Sequence, residues 1–338
     1  MNYNFRNLVF EGGGVKGIAY GGALDILDQM NILSNINRVA GTSAGAINAV
    51  LVALGYSSQE VSKIIAETDF KDFEDRKAFL SSLYGFFKDY GWFNGDAFQE
   101  WIGKLIKDKT GSKNFTFGEL YNAVETSQKS FKFLYIIATN LTKQTAEIFS
   151  HEKTPDVPIN YAARMSMSIP LYFRSVRIVD DIMVDGGVSY NYPINLFDNL
   201  MYLSNPQNTG LSIADEKGYV FNYETLGFRL DSRESIKYYR DDWESVPIEI
   251  KGIKDYALGL VNFMMEMANK GHLQTNDWDR TIFIDTLDVK TTDFNLSLEK
   301  INELITSGQN CTKEYFKWRD TDPEWSKYPV KQFAGDQL

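Results

Sequence analysis

Short apolar runs alternate with longer amphipathic segments in the first part of the chain. The apolar run at 8–10 is followed by three glycines and then by a segment at 15–30 whose apolar residues recur every three or four positions. A second short run at 38–41 leads into a compact apolar segment at 44–54. Short continuous apolar runs are typical of buried strands, and the longer spacing is typical of helices. The order of these segments therefore predicts parallel βαβ units.

The same mixture continues to the end of the chain. Helical spacing predicts helices at 59–67, 96–107, 118–126, 159–167, 254–270 and 296–318. Apolar runs predict strands at 131–139, 145–149, 176–179, 218–223 and 280–284. The polar, glycine-containing stretch 204–217 is typical of a loop or an insertion. Because no linker rich in Pro, Gly and Ser divides the chain, we expect one domain over 1–338, with the C-terminal third packed on an α/β core.

Composition and charge exclude several classes of function. The chain has 338 residues and a net charge of −10, the wrong sign for a protein that binds nucleic-acid phosphates. Its single cysteine, Cys311, cannot form an internal disulfide. His151 and His272 are too far apart in sequence to indicate a metal site, so we expect neither a metal nor a cofactor.

The sequence predicts no leader and no membrane-spanning segment. The first apolar run covers only residues 8–10, whereas a signal peptide carries about 7–15 apolar residues in a row. No uncharged apolar stretch approaches the ~18 residues of a spanning helix. We expect a cytoplasmic protein, or one exported from a bacterium without a leader, whose contact with membranes is peripheral.

The strongest local signal is the sequence G-T-S-A-G, which lies between a short apolar strand and a helix. In this context a G-x-S-x-G pattern predicts a nucleophile elbow, with Ser43 on a sharp turn at the strand end. Gly41 and Gly45 relieve backbone crowding on either side of the turn. Ala44 begins the helix, whose N-terminal partial charge favours an oxyanion nearby. The alternative is a glycine-flanked tight turn without catalytic chemistry.

The second signal is the sequence E-G-G-G-V-K-G directly after the first strand. The backbone N–H groups of Gly12, Gly13 and Gly14 can approach an anion or a developing oxyanion closely. Lys16 either adds positive potential there or is a solvated lysine at a helix start. The segment also matches the G-x-G-x-x-G dinucleotide fingerprint, which needs an acidic residue about 20 positions further on. A serine elbow stands in that place, which disfavours dinucleotide binding, and a P-loop would need Ser or Thr after the lysine.

The third signal is the sequence D-G-G formed by Asp185, Gly186 and Gly187 after an apolar run. A bare turn is the alternative interpretation of these residues. A serine nucleophile needs a proton acceptor, and both His151 and His272 lie in polar contexts typical of solvated surface histidines. Asp185 is therefore predicted to be the base. Since an aspartate has an ordinary pKa of about 4, a partly desolvated site and a strong oxyanion hole would have to compensate.

In this order, the three motifs resemble those of the patatin-like phospholipase family. Two further segments are similar to the family: 162–173, a small-residue helix ending in a proline and aromatics, and 223–230, a later strand. The likeness covers about 6–232 and leaves 233–338 as a C-terminal extension. It implies a three-layer α/β/α fold with a mostly parallel central sheet, here with extra C-terminal helices. It also implies hydrolysis of fatty-acyl esters of phospholipids or lysophospholipids, without a metal at the site.

The resemblance also implies roles for individual residues. Ser43 matches the nucleophile of a Ser-Asp dyad and Asp185 matches its partner. The matching oxyanion-hole residues are Gly12, Gly13 and Gly14, and the supporting positions are Lys16, Gly41, Ala44, Gly45, Gly186 and Gly187. The sequence departs from the family at Met165 and Met167, where small residues are usual. A catalytically weak lipid-binding or protein-interaction module on the same fold is the alternative function.

Two apolar segments are candidates for contact with lipid. The segment 70–93 is rich in aromatic residues with interleaved lysines and arginine, and we hypothesise that part of it borders the site or touches a membrane. An ordinary pair of core helices is the alternative. The segment 256–268 is apolar nearly all round, which favours a buried core helix. Because the net charge is acidic, attraction to a membrane requires a local patch or a partner protein.

Overall fold

We describe a computed structural model of the chain. It describes residues 3–73, 91–126, 130–209, 218–233, 275–291 and 293–321, together with 250, 252, 256, 259–261, 263–265 and 267. The described strands are β1 (Asn7–Phe10), β2 (Arg38–Thr42), β3 (Gly91–Phe93), β4 (Phe133–Asn140), β5 (Thr145–Phe149), β6 (Leu171–Phe173), β7 (Val176–Ile178), β8 (Asp181–Asp185), β9 (Thr225–Asp231) and β10 (Thr281–Asp285).

The α-helices described from end to end are α1 (Ala19–Gln29), α2 (Ala44–Ala53), α3 (Ser58–Glu67), α4 (Asp96–Thr110), α5 (Phe117–Glu125), α6 (Ile159–Ser166), α7 (Gly187–Tyr190) and α8 (Leu298–Thr321). Short 3₁₀-helices lie at Gly14–Ile18, Leu33–Asn35, Phe70–Phe73, Ile194–Phe197, Leu200–Tyr202, Pro206–Asn208 and Thr275–Arg280.

A mostly parallel sheet forms the centre of the fold. Within the described residues it has eight strands in the order β10-β9-β1-β2-β4-β8-β7, with β5 also paired to β4. The first five of these strands run parallel to one another, and β5, β7 and β8 pair in antiparallel fashion. The strands β3 and β6 form a separate small parallel sheet. The predicted α/β class with a mostly parallel central sheet is confirmed.

Both faces of the sheet are covered, which gives the predicted three layers. Successive side chains of a strand point to opposite faces. In β1, Leu8 and Phe10 belong to the main core cluster, to which α1, α2 and α8 contribute. Between them, Val9 packs in a second cluster with Tyr192 and Phe197, from the segment of short helices that follows β8. The three-layer α/β/α prediction is therefore confirmed.

The C-terminal helix α8 packs closely against α1. A Cβ atom at Gly22 would lie 1.8 Å from the carbonyl oxygen of Ile305, and one at Gly308 would lie 2.0 Å from that of Ala19. The two helix backbones thus approach through glycines on both sides. This contact supports our proposal that 233–338 is part of one domain with the motif-bearing core.

We expect Gly308→Ala to destabilise the protein by about 1–3 kcal/mol, because the added methyl group overpacks the contact with α1. A loss of stability would be diagnostic of this contact, since alanine in a helix interior is ordinarily more favourable than glycine by about 1 kcal/mol. Gly103 of α4 is the matched control, because a Cβ there would keep ordinary contacts of 3.5 Å or more. Urea denaturation of both variants measures the effect, and a stable Gly308→Ala protein would contradict the close contact.

The structure corrects two of the predicted elements. The strand predicted at 218–223 is wrong: this stretch makes only isolated bridges, at Tyr219 and Asn222, and the strand is β9 instead. The reason lies in the hydrogen bonds of Asn222. Its side chain donates to the carbonyl of Phe197 and its backbone N–H donates to the carboxylate of Asp198, in place of hydrogen bonds to a neighbouring strand. The helix predicted at 15–30 begins with a 3₁₀ turn, and α1 starts only at residue 19.

The segments predicted to contact lipid are described only in part. In the aromatic segment, Phe73 is buried and contacts Phe98 and Trp101 of α4, whereas 74–90 lies outside the described residues. The helix at 254–270 is described at eight positions, all of them helical. Of the loop predicted at 204–217, residues 210–217 lie outside the described residues. Among the described helices, none has the length and apolarity needed to cross a bilayer.

Candidate active site

Ser43 occupies a strained turn between β2 and α2. Its backbone has φ 53° and ψ −125°, a conformation that costs a non-glycine residue about 1–3 kcal/mol. A Cβ at Gly41 would lie 2.2 Å from the carbonyl oxygen of Gly45, and one at Gly45 would lie 2.4 Å from that of Phe10. The turn can therefore close only with glycine on both sides of the serine, as the crowding argument from the sequence requires.

The side chain of Ser43 lies in a closed environment. Ser43 is only 1% exposed, and its Oγ lies 3.5 Å from the sulfur of Met167. Its backbone N–H donates to the hydroxyl of Ser166 at 2.8 Å. Ala44, the next residue, begins α2, so the positive end of the helix dipole lies beside the serine.

Asp185 lies at the end of β8 and is fully buried. Its Oδ1 accepts a hydrogen bond from the backbone N–H of Gly187 at 2.8 Å. Its Oδ2 has no hydrogen-bond partner among the described residues. The backbone is held on both sides: the N–H donates to Ser168 at 2.9 Å, and the carbonyl accepts from the Thr139 hydroxyl at 2.8 Å. The carboxyl is thus fixed, with one oxygen available to a further donor.

Burial raises the pKa of Asp185 from 3.8 to about 7. The proximity of the Ser43 hydroxyl and the hydrogen bond from the Gly187 N–H lower this pKa by less than burial raises it. In the present rotamer the contact that Ser43 Oγ makes is with the Met167 sulfur, so the hydroxyl has to rotate to donate to Asp185. The serine and the aspartate are nevertheless both buried, and they lie close enough for Ser43 to lower the pKa of Asp185.

The strand β4 brings these two residues together, because it lies between β2 and β8. A Cβ at Gly186 would lie 2.3 Å from the carbonyl oxygen of Ile137 in β4 and 2.9 Å from the Thr42 methyl group. The absence of a side chain at Gly186 therefore lets the D-G-G turn pack against the strand and against the residue that precedes Ser43.

The glycine loop lies directly beside the serine. A Cβ at Gly12 would lie 3.0 Å from the Cβ of Ser43. The N–H of Gly12 donates to the carbonyl of Asn191 at 3.1 Å and is already used. The N–H groups of Gly13 and Gly14 donate to none of the residues that the structure describes. Of the three glycines predicted for the oxyanion hole, Gly13 and Gly14 therefore carry the available donors.

Lys16 lies in the 3₁₀-helix that follows the glycine loop. It is half-buried, and it forms no ion pair with any described residue.

Sequence reasoning missed the residues that hold the glycine loop. Asn191 donates through its amide to the Gly12 carbonyl at 3.1 Å and to Glu11 at 3.3 Å. The buried Glu11 also accepts the backbone N–H of Leu230 at 2.7 Å and lies 3.7 Å from the Arg229 guanidinium. Glu11 could have been noticed as a charged residue directly before the glycines. For Asn191, no local sequence pattern marks the role.

The prediction that His151 is a solvated surface residue is wrong. Its ring stacks on Tyr121 at 4.7 Å and lies 5.0 Å from the ring of Phe133, and its side chain is 17% exposed. Burial lowers its pKa, so the ring is more readily neutral. Phe133 begins β4, whereas Ala138 near the other end pairs with Asp185. His151 is therefore placed away from the serine, and His272 lies outside the described residues.

No metal site is visible in the described part of the chain, where His, Cys, Asp and Glu form no group of three or more suited to an ion.

Comparisons with known proteins identify relatives along most of the chain. The family model described as patatin-like phospholipase matches residues 8–198. An uncharacterized protein of Acanthamoeba polyphaga mimivirus is 31% identical over 311 residues, which are 91% of this chain and 93% of that protein. A probable lipid hydrolase of Invertebrate iridescent virus 6 is 28% identical over 194 residues, 57% of this chain and 63% of the viral protein.

Among solved structures, VipD from Legionella pneumophila has a similar fold, with a TM-score of 0.57 at 18% identity. The match covers 93% of this chain and 67% of VipD. Because it reaches into the C-terminal third, beyond the residues of the family match, the likeness of fold extends past the motif-bearing core.

Proposed function

Because this chain belongs to the patatin-like phospholipase family, we propose that it is a lipid acyl hydrolase in which Ser43 is the nucleophile and Asp185 the base. Its substrates are fatty-acyl esters of phospholipids or lysophospholipids. The relative described as a probable lipid hydrolase supports the same class of reaction. The observation that carries the proposal is a strained, buried serine next to a buried aspartate whose pKa is raised to about 7.

In the first half of the proposed reaction, the serine is acylated. Asp185 Oδ2 accepts the proton of the Ser43 hydroxyl as Oγ attacks the ester carbonyl carbon. The N–H groups of Gly13 and Gly14 donate to the oxyanion of the tetrahedral intermediate, and the N-terminus of α2 adds positive potential. The intermediate collapses, the ester C–O bond breaks, and Asp185 returns the proton to the leaving alcohol. The fatty acid is then an ester of Ser43.

In the second half, water replaces the alcohol. Asp185 accepts a proton from the water as its oxygen attacks the acyl carbon, and the same N–H groups hold the second oxyanion. Collapse releases the fatty acid and returns the proton to Ser43. A base works best when its pKa is near the working pH, so the raised pKa of the buried Asp185 suits it to this task at neutral pH.

A panel of defined lipids tests the proposal. Purified protein is incubated with phospholipids, lysophospholipids and triacylglycerols, and released fatty acid is measured with and without a fluorophosphonate that esterifies reactive serines. We expect release from at least one phospholipid or lysophospholipid and its loss after labelling of Ser43. A folded protein that releases no fatty acid from any lipid and takes up no label would favour the alternative, a binding module on the same fold.

We also propose that the described helical residues between 256 and 267, in the segment predicted from the sequence to be a buried helix, contact the lipid surface. Contrary to the sequence prediction of a buried core helix, the described residues of this segment are buried on one side only. Val261 and Met265 are buried, and a Cβ at Gly187 would clash with the Met265 methyl group. Phe263 and Met267 are 61% and 50% exposed. An exposed apolar face adjoining the D-G-G turn is suited to dipping into an acyl-chain interface.

We expect the double variant Phe263→Ser, Met267→Ser to bind phosphatidylcholine vesicles about tenfold more weakly, because it gives up roughly 1.4 kcal/mol or more of apolar burial in the bilayer. Hydrolysis of a short-chain soluble ester should not change. Met201, 64% exposed on another segment, provides the matched control as Met201→Ser. Vesicle sedimentation measures binding, and unaltered binding by the double variant would rule out this face.

A further inference from the structure

We infer that Ser166 is a positioning residue for the nucleophile. Its hydroxyl accepts the backbone N–H of Ser43 at 2.8 Å and donates to the carbonyl of Ile137 at 2.6 Å. Ser166 therefore connects the turn that carries the serine to the strand β4 against which the D-G-G turn packs. The inference rests on the proposed function and adds to it a residue that does not touch the substrate.

The link joins both halves of the site through one carbonyl group. Ile137 pairs with Thr42, the residue before Ser43, in the parallel ladder of β2 and β4. The carbonyl oxygen of Ile137 also lies against Gly186, the residue after Asp185. The hydroxyl of Ser166 thus ties the Ser43 backbone to the part of β4 that sets the position of Asp185.

The backbone of Ser43 needs such a partner. The residue is held at φ 53°, a conformation that persists only where its surroundings determine it. Ser166 is completely buried, so water cannot easily replace its hydroxyl, and its loss leaves one donor and one acceptor unpaired. The turn can then relax, which moves Ser43 Oγ away from the carboxyl of Asp185 and from the N–H groups of the glycine loop.

A residue that only supported the fold would act differently. It would lower stability without changing the turnover of the molecules that remain folded. A positioning residue changes turnover, because an error of about 1 Å in the place of a reacting atom can cost roughly 100-fold in rate. Substrate affinity stays the same, since the hydroxyl of Ser166 has both its partners inside the protein.

The test uses Ser166→Ala and Ser166→Cys in the full chain. Cysteine nearly keeps the size of serine but is a weak donor and a weak acceptor, so it separates hydrogen bonding from packing. With a soluble ester at saturation, we expect kcat of both folded variants to fall about 10- to 100-fold, with KM unchanged within about twofold. The control is Ser150→Ala, another fully buried serine whose hydroxyl has no partner among the described residues. Its kcat should match that of the wild type.

Hydrogen exchange of the Ser43 amide is a second readout that does not depend on activity. We expect exchange to become at least about tenfold faster in Ser166→Ala than in the Ser150→Ala control. Unchanged exchange, or wild-type kcat in both variants of Ser166, would overturn the inference. A wild-type protein without esterase activity or fluorophosphonate labelling would instead overturn the proposed function, and the exchange measurement would still decide whether Ser166 holds the turn.

Discussion

Ser43→Ala is expected to abolish fatty-acid release, with a loss of at least about 10⁴-fold in kcat, because no other atom can form the acyl-enzyme. The variant should remain folded. The hydroxyl of Ser43 makes one described contact, with the Met167 sulfur, so its removal leaves no strong hydrogen bond unpaired. Fluorophosphonate labelling followed by intact mass, and fatty-acid release from the preferred lipid, measure the effect.

The matched control is Ser62→Ala, since the hydroxyl of Ser62 has no partner among the described residues and lies on α3. It should label and turn over like the wild type. If Ser43→Ala kept full turnover, the serine mechanism would be excluded, whatever the family of the chain. If it lost labelling but kept turnover, the label would report a reactive serine that is not the nucleophile.

Asp185→Asn is expected to lose activity and gain stability. Asparagine has nearly the shape of aspartate but cannot accept a proton, so we expect kcat to fall at least about 10³-fold. Burial is the largest cause of the shift in the pKa of Asp185, and no charged group contributes to that shift. Removing its charge therefore removes a desolvation cost that the wild type carries at neutral pH.

The size of this gain in stability depends on pH. The pKa of Asp185 is raised from 3.8 to about 7 in the folded chain. Its contribution to stability is therefore greatest below pH about 4, declines as pH rises from 4, and is lost above 7. That difference in pKa corresponds to about 4 kcal/mol. We expect Asp185→Asn to raise the Tm at pH 8 and to raise it least at pH 4.

The same pKa predicts the pH dependence of activity. The base must be ionised, so kcat/KM of the wild type should rise with pH and reach half its plateau near pH 7. Asp181→Asn provides the control. Asp181 lies at the surface, at the other end of β8, and a hydrogen bond from Lys143 lowers the pKa of its carboxyl. A rate profile already flat from pH 5 upward, or a Tm of Asp185→Asn that is lower at pH 8, would contradict the assignment of Asp185 as a buried base.

Much of the fold could be predicted from short stretches of sequence. The strands β1, β2, β5 and β10 lie within two residues of their predicted bounds. For β1, β2 and β10 the reason is that a buried strand needs only a local apolar run. The stretch 218–223 failed for a tertiary reason. The backbone N–H and the side chain of Asn222 donate to residues 24 and 25 positions earlier, which local periodicity does not record.

The sequence by itself determined the local backbone geometry of the proposed site. The glycines at 41 and 45, the serine between them and the glycine run at 12–14 follow from local backbone geometry, since no side chain fits at Gly41 or Gly45. Tertiary structure alone decided which backbone N–H groups of the glycine run are available, because the N–H of Gly12 donates to the carbonyl of Asn191, a residue 179 positions away. It also decided the pKa of Asp185. Burial and hydrogen bonding depend on every element packed around a group, whereas sequence motifs record only its neighbours along the chain.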